Sequence, residues 1–268
     1  MSDALFAIAS QSAVPSELTR GPWVHTAQHG GPPSALLMYL VETTVEQGWS
    51  VARMNVELLA PVPLTPLRFT VQSEQLSRRV AVATAHLLSG DVPVAKCTSR
   101  LLATSDATEQ PDFDAIDPAA ILPGPEAERT APTWGTGLDE PTFHRDAVRY
   151  RWEKGDFQVG GPATVWHQLR VPVVADQPVT GNQRLMAVAD IASGVSAAYA
   201  PETGYGLINS DLDVAFVRAP QGEWIRTDAI TRPGPGGTGL CTNVMSDIHG
   251  VVATGTQTLL GRPFNLQS

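Results

Sequence analysis

"VPVAKCTSRLL", Val92 to Leu102, and "GVVATGTQTLL", Gly250 to Leu260, read as one strand written twice. Laid over each other, Ala95 meets Ala253, Thr98 meets Thr256, and Leu101-Leu102 meet Leu259-Leu260, an offset of 253 − 95 = 158. The same offset carries "VELLAPV" from Val56 over "VAFVRAP" from Val214 and Thr84 over Thr242, with no gap. Farther upstream it sets the helical pattern "PPSALLMYLVETTVEQG" from Pro32 over "DIASGVSAAYAPETGYG" from Asp190. Self-similarity held at a fixed spacing through helix and strands means one supersecondary unit present twice.

Each unit then reads as a helix of about four turns followed by antiparallel strands. Tight turns fall at "SGD" (Ser89 to Asp91) and "IHG" (Ile248 to Gly250), and extra strands in "VRYRWEKGDF" and "TVWHQLRVPVV" precede the second helix. Thr104 to Arg145 is rich in Pro, Asp, Glu and Gly and has no sustained period, so it is the connection. The expected organisation is a first unit over residues 1–103, a connecting segment over 104–145 and a second unit over 146–268, each an α+β layer of helix on sheet.

Alternation assigns the faces of the two last strands. Pro93, Ala95, Cys97, Ser99 and Leu101 lie on one side, with Lys96 and Arg100 on the other; the even offset preserves parity, so Val251, Ala253, Gly255, Gln257 and Leu259 face inward. An amide buried without partners costs about 1 to 3 kcal/mol, so Gln257, which stands where the first unit has Ser99, must satisfy either structure or chemistry.

Composition narrows the partners. A net charge of −9 excludes nucleic acid as the default partner, because phosphate neutralisation needs clustered Lys and Arg. Cys97 and Cys241 cannot make a disulfide framework and belong to no CxxC or Cys/His cluster, which fits a reducing compartment. Asp3 stands where a leader would be basic, and "ALLMYLV" is far below bilayer length, so a cytoplasmic chain with no membrane partner is expected.

Three positions and one junction are the candidates for chemistry. Asp190 shares a small-residue helix face with Met186, Ala187, Ser193 and Gly194, which makes it a candidate base; the alternative is an ordinary cap of the first turn. Gln257 has Gly255 beside it, which leaves room for a small ligand or water. Asn209 falls by alternation with Asp211 and Asp213, the outward face. At "QHGGPPSALL" (Gln28 to Leu37), glycines lead into prolines at the first helical positions, and the free N–H groups there are suited to an oxyanion or a phosphate. Other motifs are decoys. "GPGGTG" (Gly234 to Gly239) runs into a strand rather than a helix and reads as a hairpin turn. His25 and His29 have no following Glu and no helix between them, so zinc is not expected, and no GxSxG signals a nucleophile.

The tandem repeat, "HGG" before the first helix, "AD-x-x-SG" in the second, "INSDL" on a strand and "GTQTLL" at the end together resemble the acyl-CoA thioesterase II-like family, over nearly the whole chain from Gly21. The resemblance implies a double hotdog fold, two long helices each wrapped by an antiparallel sheet, and hydrolysis of acyl-CoA to free fatty acid and CoA. It implies a water held by Asp190, Asn209 and Gln257, with Asn where some members have Thr, and a substrate-binding junction at His29, Gly30 and Gly31. The first unit has Pro32, Val51 and Ser99 at the matching positions, so one active site is expected rather than two. No cofactor or metal is implied, and stacked sheets of this kind allow a homodimer. The alternative on the same fold is a non-catalytic module that binds acyl thioesters.

Overall fold

The computed structural model describes residues 4–105, 119–132 and 140–263. In chain order these form strands β1 (Phe6–Ala9) and β2 (Ser12–Pro15), helix α1 (Gly31–Glu42), and strands β3 (Trp49–Leu58), β4 (Leu67–Ser77), β5 (Val80–Ser89) and β6 (Val92–Ala103). After the connection come β7 (Glu128–Arg129), β8 (Val148–Asp156), β9 (Val159–Leu169), α2 (Gly181–Ala189) and α3 (Ala192–Val195). The chain continues through β10 (Tyr205–Asn209), β11 (Asp211–Phe216), β12 (Trp224–Pro233), β13 (Thr238–Asp247) and β14 (Gly250–Pro263).

All the strands join one antiparallel sheet in the order β1-β2-β4-β5-β6-β3-β11-β14-β13-β12-β9-β8-β7, with β10 beside β14. At the seam, Asn55 of β3 lies opposite Asp213 of β11. Since 213 − 55 = 158, these are repeat-equivalent residues facing each other, and the pseudo-twofold axis passes between them. The repeat extends to its irregularities. One extra residue, Ala52, sits between the Val51–Leu101 and Arg53–Arg100 pairs; 158 residues on, the pairing steps by one between Asn209–Leu259 and Asp213–Thr256. A second bulge inserts Val94 opposite Leu87-Leu88 and Val252 opposite Met245-Ser246.

This second bulge corrects the alternation at the start of both last strands. Val94 and Val252 point into the core, while Pro93 is exposed and Val251 only half-buried; from Ala95 and Ala253 onward the expected inner faces hold. A bulge adds one residue and flips parity on one side of itself.

The helices lie on their own halves of the sheet, α1 against β4, β5 and β6, α2 against β9 and β12, and α3 against β10, β12 and β13. α1 is buried almost all round, from Gly31 to Val41 except Tyr39, as an apolar helix enclosed by sheet and neighbouring helix must be. Its prolines sit in the first turn, where no N–H is needed.

The second helix departs from the expected register. The sheet offset would start it at 31 + 158 = 189, but α2 starts at Gly181, eight residues earlier, and α3 ends at Val195. Asp190 therefore closes α2 as its C-cap and does not cap a first turn, and Pro32, at the opposite end of its helix, is not its counterpart. α1 has 12 residues and α2 nine, both shorter than four turns.

Candidate active site

The break between α2 and α3 has a visible cause. Gln257, 1% exposed on β14, reaches up into the helix: its Oε1 accepts the Ser193 N–H at 3.1 Å, and its Nε2 donates to the Asp190 main-chain carbonyl at 3.0 Å. In an unbroken helix Ser193 N–H would bond to the carbonyl four residues back; an inserted side chain takes it instead and kinks the helix. Gly194 N–H then bonds Ile191 O at 2.9 Å, one residue short of the α-helical partner. The buried amide is thus satisfied by the end of one helix and the start of the next, and Asp190 is left at a helix end facing the other half of the protein.

What it faces is the start of α1. The loop before α1 is fixed by main-chain bonds: Gln28 N–H to Val62 O at 2.7 Å and His29 N–H to Thr19 O at 2.8 Å, with Gln28 Nε2 on Pro63 O at 2.8 Å. It places the His29 imidazole against Asp190, Nδ1 to Oδ2 at 2.9 Å. Nδ1 also lies 3.1 Å from Gly31 N, so it donates to the carboxylate or accepts from Gly31 according to tautomer. The other carboxylate oxygen, Oδ1, accepts from Asn209 Nδ2 at 2.6 Å, and the same amide reaches Asp211 O at 3.3 Å. Gly30 closes the remaining side, since a Cβ there would stand 2.6 Å from Oδ1 and 2.8 Å from Oδ2. Gly31 is held to glycine by packing too, a Cβ falling 2.2 Å from Ala187 O.

Asn209 corrects the alternation reading. Its side chain is on the inner side with Leu207, because the extra residue Ser210 flips parity between β10 and β11; Leu212 and Val214 then face inward beyond it. Alternation carried unbroken across Ser210 put Asn209 outside.

A cavity of about 400 Å³ opens on this group, lined by His29, Gly30, Asp190 and Asn209 and walled by apolar side chains of both halves, among them Val24, Leu58, Val62, Ile191 and Leu207. Gln257 does not line it; its amide is spent on the main chain behind Asp190. Gly194 does line it, whereas Ala187 does not; the main-chain carbonyl of Ala187 instead lies where a side chain on Gly31 would fall.

Two neighbours of His29, of which His144 lines the cavity, came with no sequence signal. Phe143 packs its ring 5.1 Å from that of His29, and His144 follows at 6.4 Å, both from the end of the aperiodic connection. Burial pushes the His144 imidazole down to about 4, with His29 and Arg145 adding to the effect, so it is uncharged at neutral pH. Its Nε2 lies 3.2 Å from Pro132 O. Tyr150, whose phenol burial raises above its ordinary value, donates to His144 O at 2.7 Å.

Two family models match the sequence, the acyl-CoA thioesterase N-terminal domain over residues 19–104 and the acyl-CoA thioesterase C-terminal domain over residues 118–260. The chain belongs to the acyl-CoA thioesterase family. No curated protein matches it significantly. Solved structures similar to this family member include a conserved protein of unknown function with a hot dog fold from Alicyclobacillus acidocaldarius, at 13% identity over 96% of this chain and 95% of that chain, with a TM-score of 0.70. A tesB protein from Mycobacterium avium subs paratuberculosis matches at 16% over 96% of each chain, TM-score 0.62. An acyl-CoA thioesterase II, TesB2, from Mycobacterium marinum matches at 15% over 96% and 94%, TM-score 0.64. The fold is the double hotdog, with both family domains in one chain. Among the described residues no helix is long and apolar enough to cross a membrane.

Proposed function

We propose that this chain hydrolyses acyl-CoA thioesters to free fatty acid and CoA. The observation that carries the reading is the buried Asp190 carboxylate on the wall of an apolar cavity, held by Asn209 and His29 and flanked by the glycines that start α1. Thioester hydrolysis needs a water held within hydrogen-bond reach of a base and of the carbonyl carbon, and donors for the oxyanion that forms. The carboxylate, its two partners and the N–H groups at Gly30 and Gly31 are those parts. Gln257 enters as the residue that fixes Asp190 at the kink.

The apolar walls suit an acyl chain, whose burial provides the binding energy. Arg262, exposed at the far end of β14, is the one cationic side chain among the described lining residues and would meet the phosphates of CoA.

The test is release of free thiol from a panel of acyl-CoA substrates of increasing chain length, run beside thermal-shift binding of the same compounds. Turnover that disappears in Asp190→Asn supports hydrolysis at this site. Binding without thiol release would replace the enzyme by an acyl-thioester binding module.

A further inference from the structure

Resting on the hydrolysis reading above, we propose that His29, rather than the Asp190 carboxylate, takes the proton from the attacking water, and that Asp190 serves to orient the imidazole and balance its charge. The carboxylate is the more enclosed of the two. Its side chain is 3% exposed, its oxygens already lie against Asn209 Nδ2 at 2.6 Å and His29 Nδ1 at 2.9 Å, and Gly30 leaves no space on the third side. The imidazole is 12% exposed and lines the cavity. The ring atom on the carboxylate is Nδ1, so the geometry of the five-membered ring turns Nε2 away from Asp190, on a ring that lines the cavity and packs against Phe143.

The tautomer follows from the same contacts. A proton on Nδ1 goes to Asp190 Oδ2, which leaves Nε2 with the free lone pair a base requires. It also takes Nδ1 away from Gly31 as an acceptor, and the Gly31 N–H at the start of α1 then becomes available to an oxyanion. One proton position therefore prepares both base and oxyanion donor.

The step balances. A water O–H breaks and its proton moves to Nε2; the hydroxide oxygen bonds the thioester carbon while the carbonyl pair moves onto oxygen, facing the Gly31 N–H. Collapse restores the carbonyl, breaks the C–S bond, and returns the Nε2 proton to the leaving thiolate. One water is consumed, and acid and thiol are released. The imidazolium formed in between lies against the Asp190 carboxylate.

The groups facing His29 are Asp190 from the end of α2 and His144 from the connection, with Arg145 and Asp146 paired beyond it at 3.0 Å. On its own loop, Arg20 and His25 both meet Glu140, at 3.3 and 3.2 Å, and Arg20 also meets Glu17.

The experiment follows kcat and KM for acyl-CoA hydrolysis from about pH 5 to 8 in the wild type, His29→Asn, His29→Gln and His25→Gln. Asn keeps an amide donor near the Nδ1 position and removes the base; Gln is the second variant should the first fail to fold. The wild type and His25→Gln are expected to gain kcat with rising pH through one ionisation. His29→Asn should lose about 10²- to 10⁴-fold in kcat with KM changed only a few-fold, lose that ionisation, and recover part of the rate with added imidazole. A His29 variant within threefold of wild-type kcat, or a slow variant that keeps the same ionisation, would overturn the proposal and return the base to Asp190. A folded wild type that binds acyl-CoA and releases no thiol would instead overturn hydrolysis itself.

Discussion

Replacing Gly30 by alanine separates geometry from folding at this site. Gly30 has φ −67° and ψ −22°, ordinary right-handed helical backbone, so alanine meets no conformational strain there. Its Cβ, however, would stand 2.6 Å from Asp190 Oδ1, where ordinary contact begins at 3.4 Å, a conflict of 3.4 − 2.6 = 0.8 Å. The carboxylate cannot retreat freely, because Asn209 and His29 hold its oxygens and Gln257 holds its main-chain carbonyl. The displacement therefore passes to the geometry of the reacting groups, and a misplacement of about 1 Å costs about 10²-fold in rate. Against this, alanine restricts the unfolded chain and returns about 0.4 to 1 kcal/mol of stability. Saturating thiol-release kinetics with a parallel thermal melt should show kcat down about 100-fold and a melting midpoint within a few degrees of wild type. Wild-type kcat in a folded Gly30→Ala protein would refute the reasoning, because it would mean that the chemistry does not depend on where this carboxylate stands.

Gln257→Leu orphans the Ser193 N–H and the Asp190 carbonyl inside the protein, and should lower stability by about 2 to 4 kcal/mol in urea unfolding while also reducing kcat; a neutral effect on both would show that the kink does not need the amide. Arg262→Ala should raise KM for acyl-CoA several-fold yet leave KM for a thioester of an uncharged thiol unchanged, and an equal rise for both would remove the phosphate contact. Acid should destabilise the fold through its buried histidines. Burial pushes His144 down to about 4 and His167 down to about 3 from 6.5, so the unfolded chain binds protons first as pH falls. Their stabilising effect is complete above about pH 6.5 and is lost toward the folded values, about 2 kcal/mol for each at pH 5. A urea midpoint that is the same at pH 7 and pH 5 would contradict that burial.

The sheet was readable from the chain because its signal is local and doubled. Alternation in Val92 to Leu102 and Gly250 to Leu260 sets the inner faces, and an offset of 158 predicts strand bounds that recur residue for residue, as in β5 from Val80 to Ser89 and β13 from Thr238 to Asp247. What escaped was whatever breaks a period. Ser210 adds one residue and turns Asn209 inward; Val94 and Val252 do the same for their neighbours. The second helix slipped by eight residues because apolar and small residues run on past Asp190, and the residue that ends the helix, Gln257, comes from a strand 67 positions later in the chain. Phe143 and His144 belong to a segment without pattern, where only tertiary packing against His29 gives them meaning.

The corrected helix register changes what the two halves share. Asp190 ends α2 against the first turn of α1, and by the same pseudo-symmetry Glu42 ends α1 against the first turn of α2. The first half has kept a carboxylate at its helix end after all. Thr180 Oγ1, Asn182 Nδ2 and Gln183 Nε2 all donate to Glu42, at 2.9, 3.1 and 2.6 Å. Burial lifts its pKa above the ordinary value while these three donors pull the other way. At Asp190 the facing turn reads Gly30-Gly31-Pro32-Pro33 from the N-cap on, where α2 presents Thr180, Gly181, Asn182 and Gln183. Gly30 stands against the Asp190 carboxylate with no side chain and lines the cavity beside it, whereas Thr180, Asn182 and Gln183 saturate Glu42 with side-chain donors. A carboxylate at a helix end is thus common to both halves, and the residues that open the facing helix decide whether it becomes a clasp between helices or stands on the wall of a cavity.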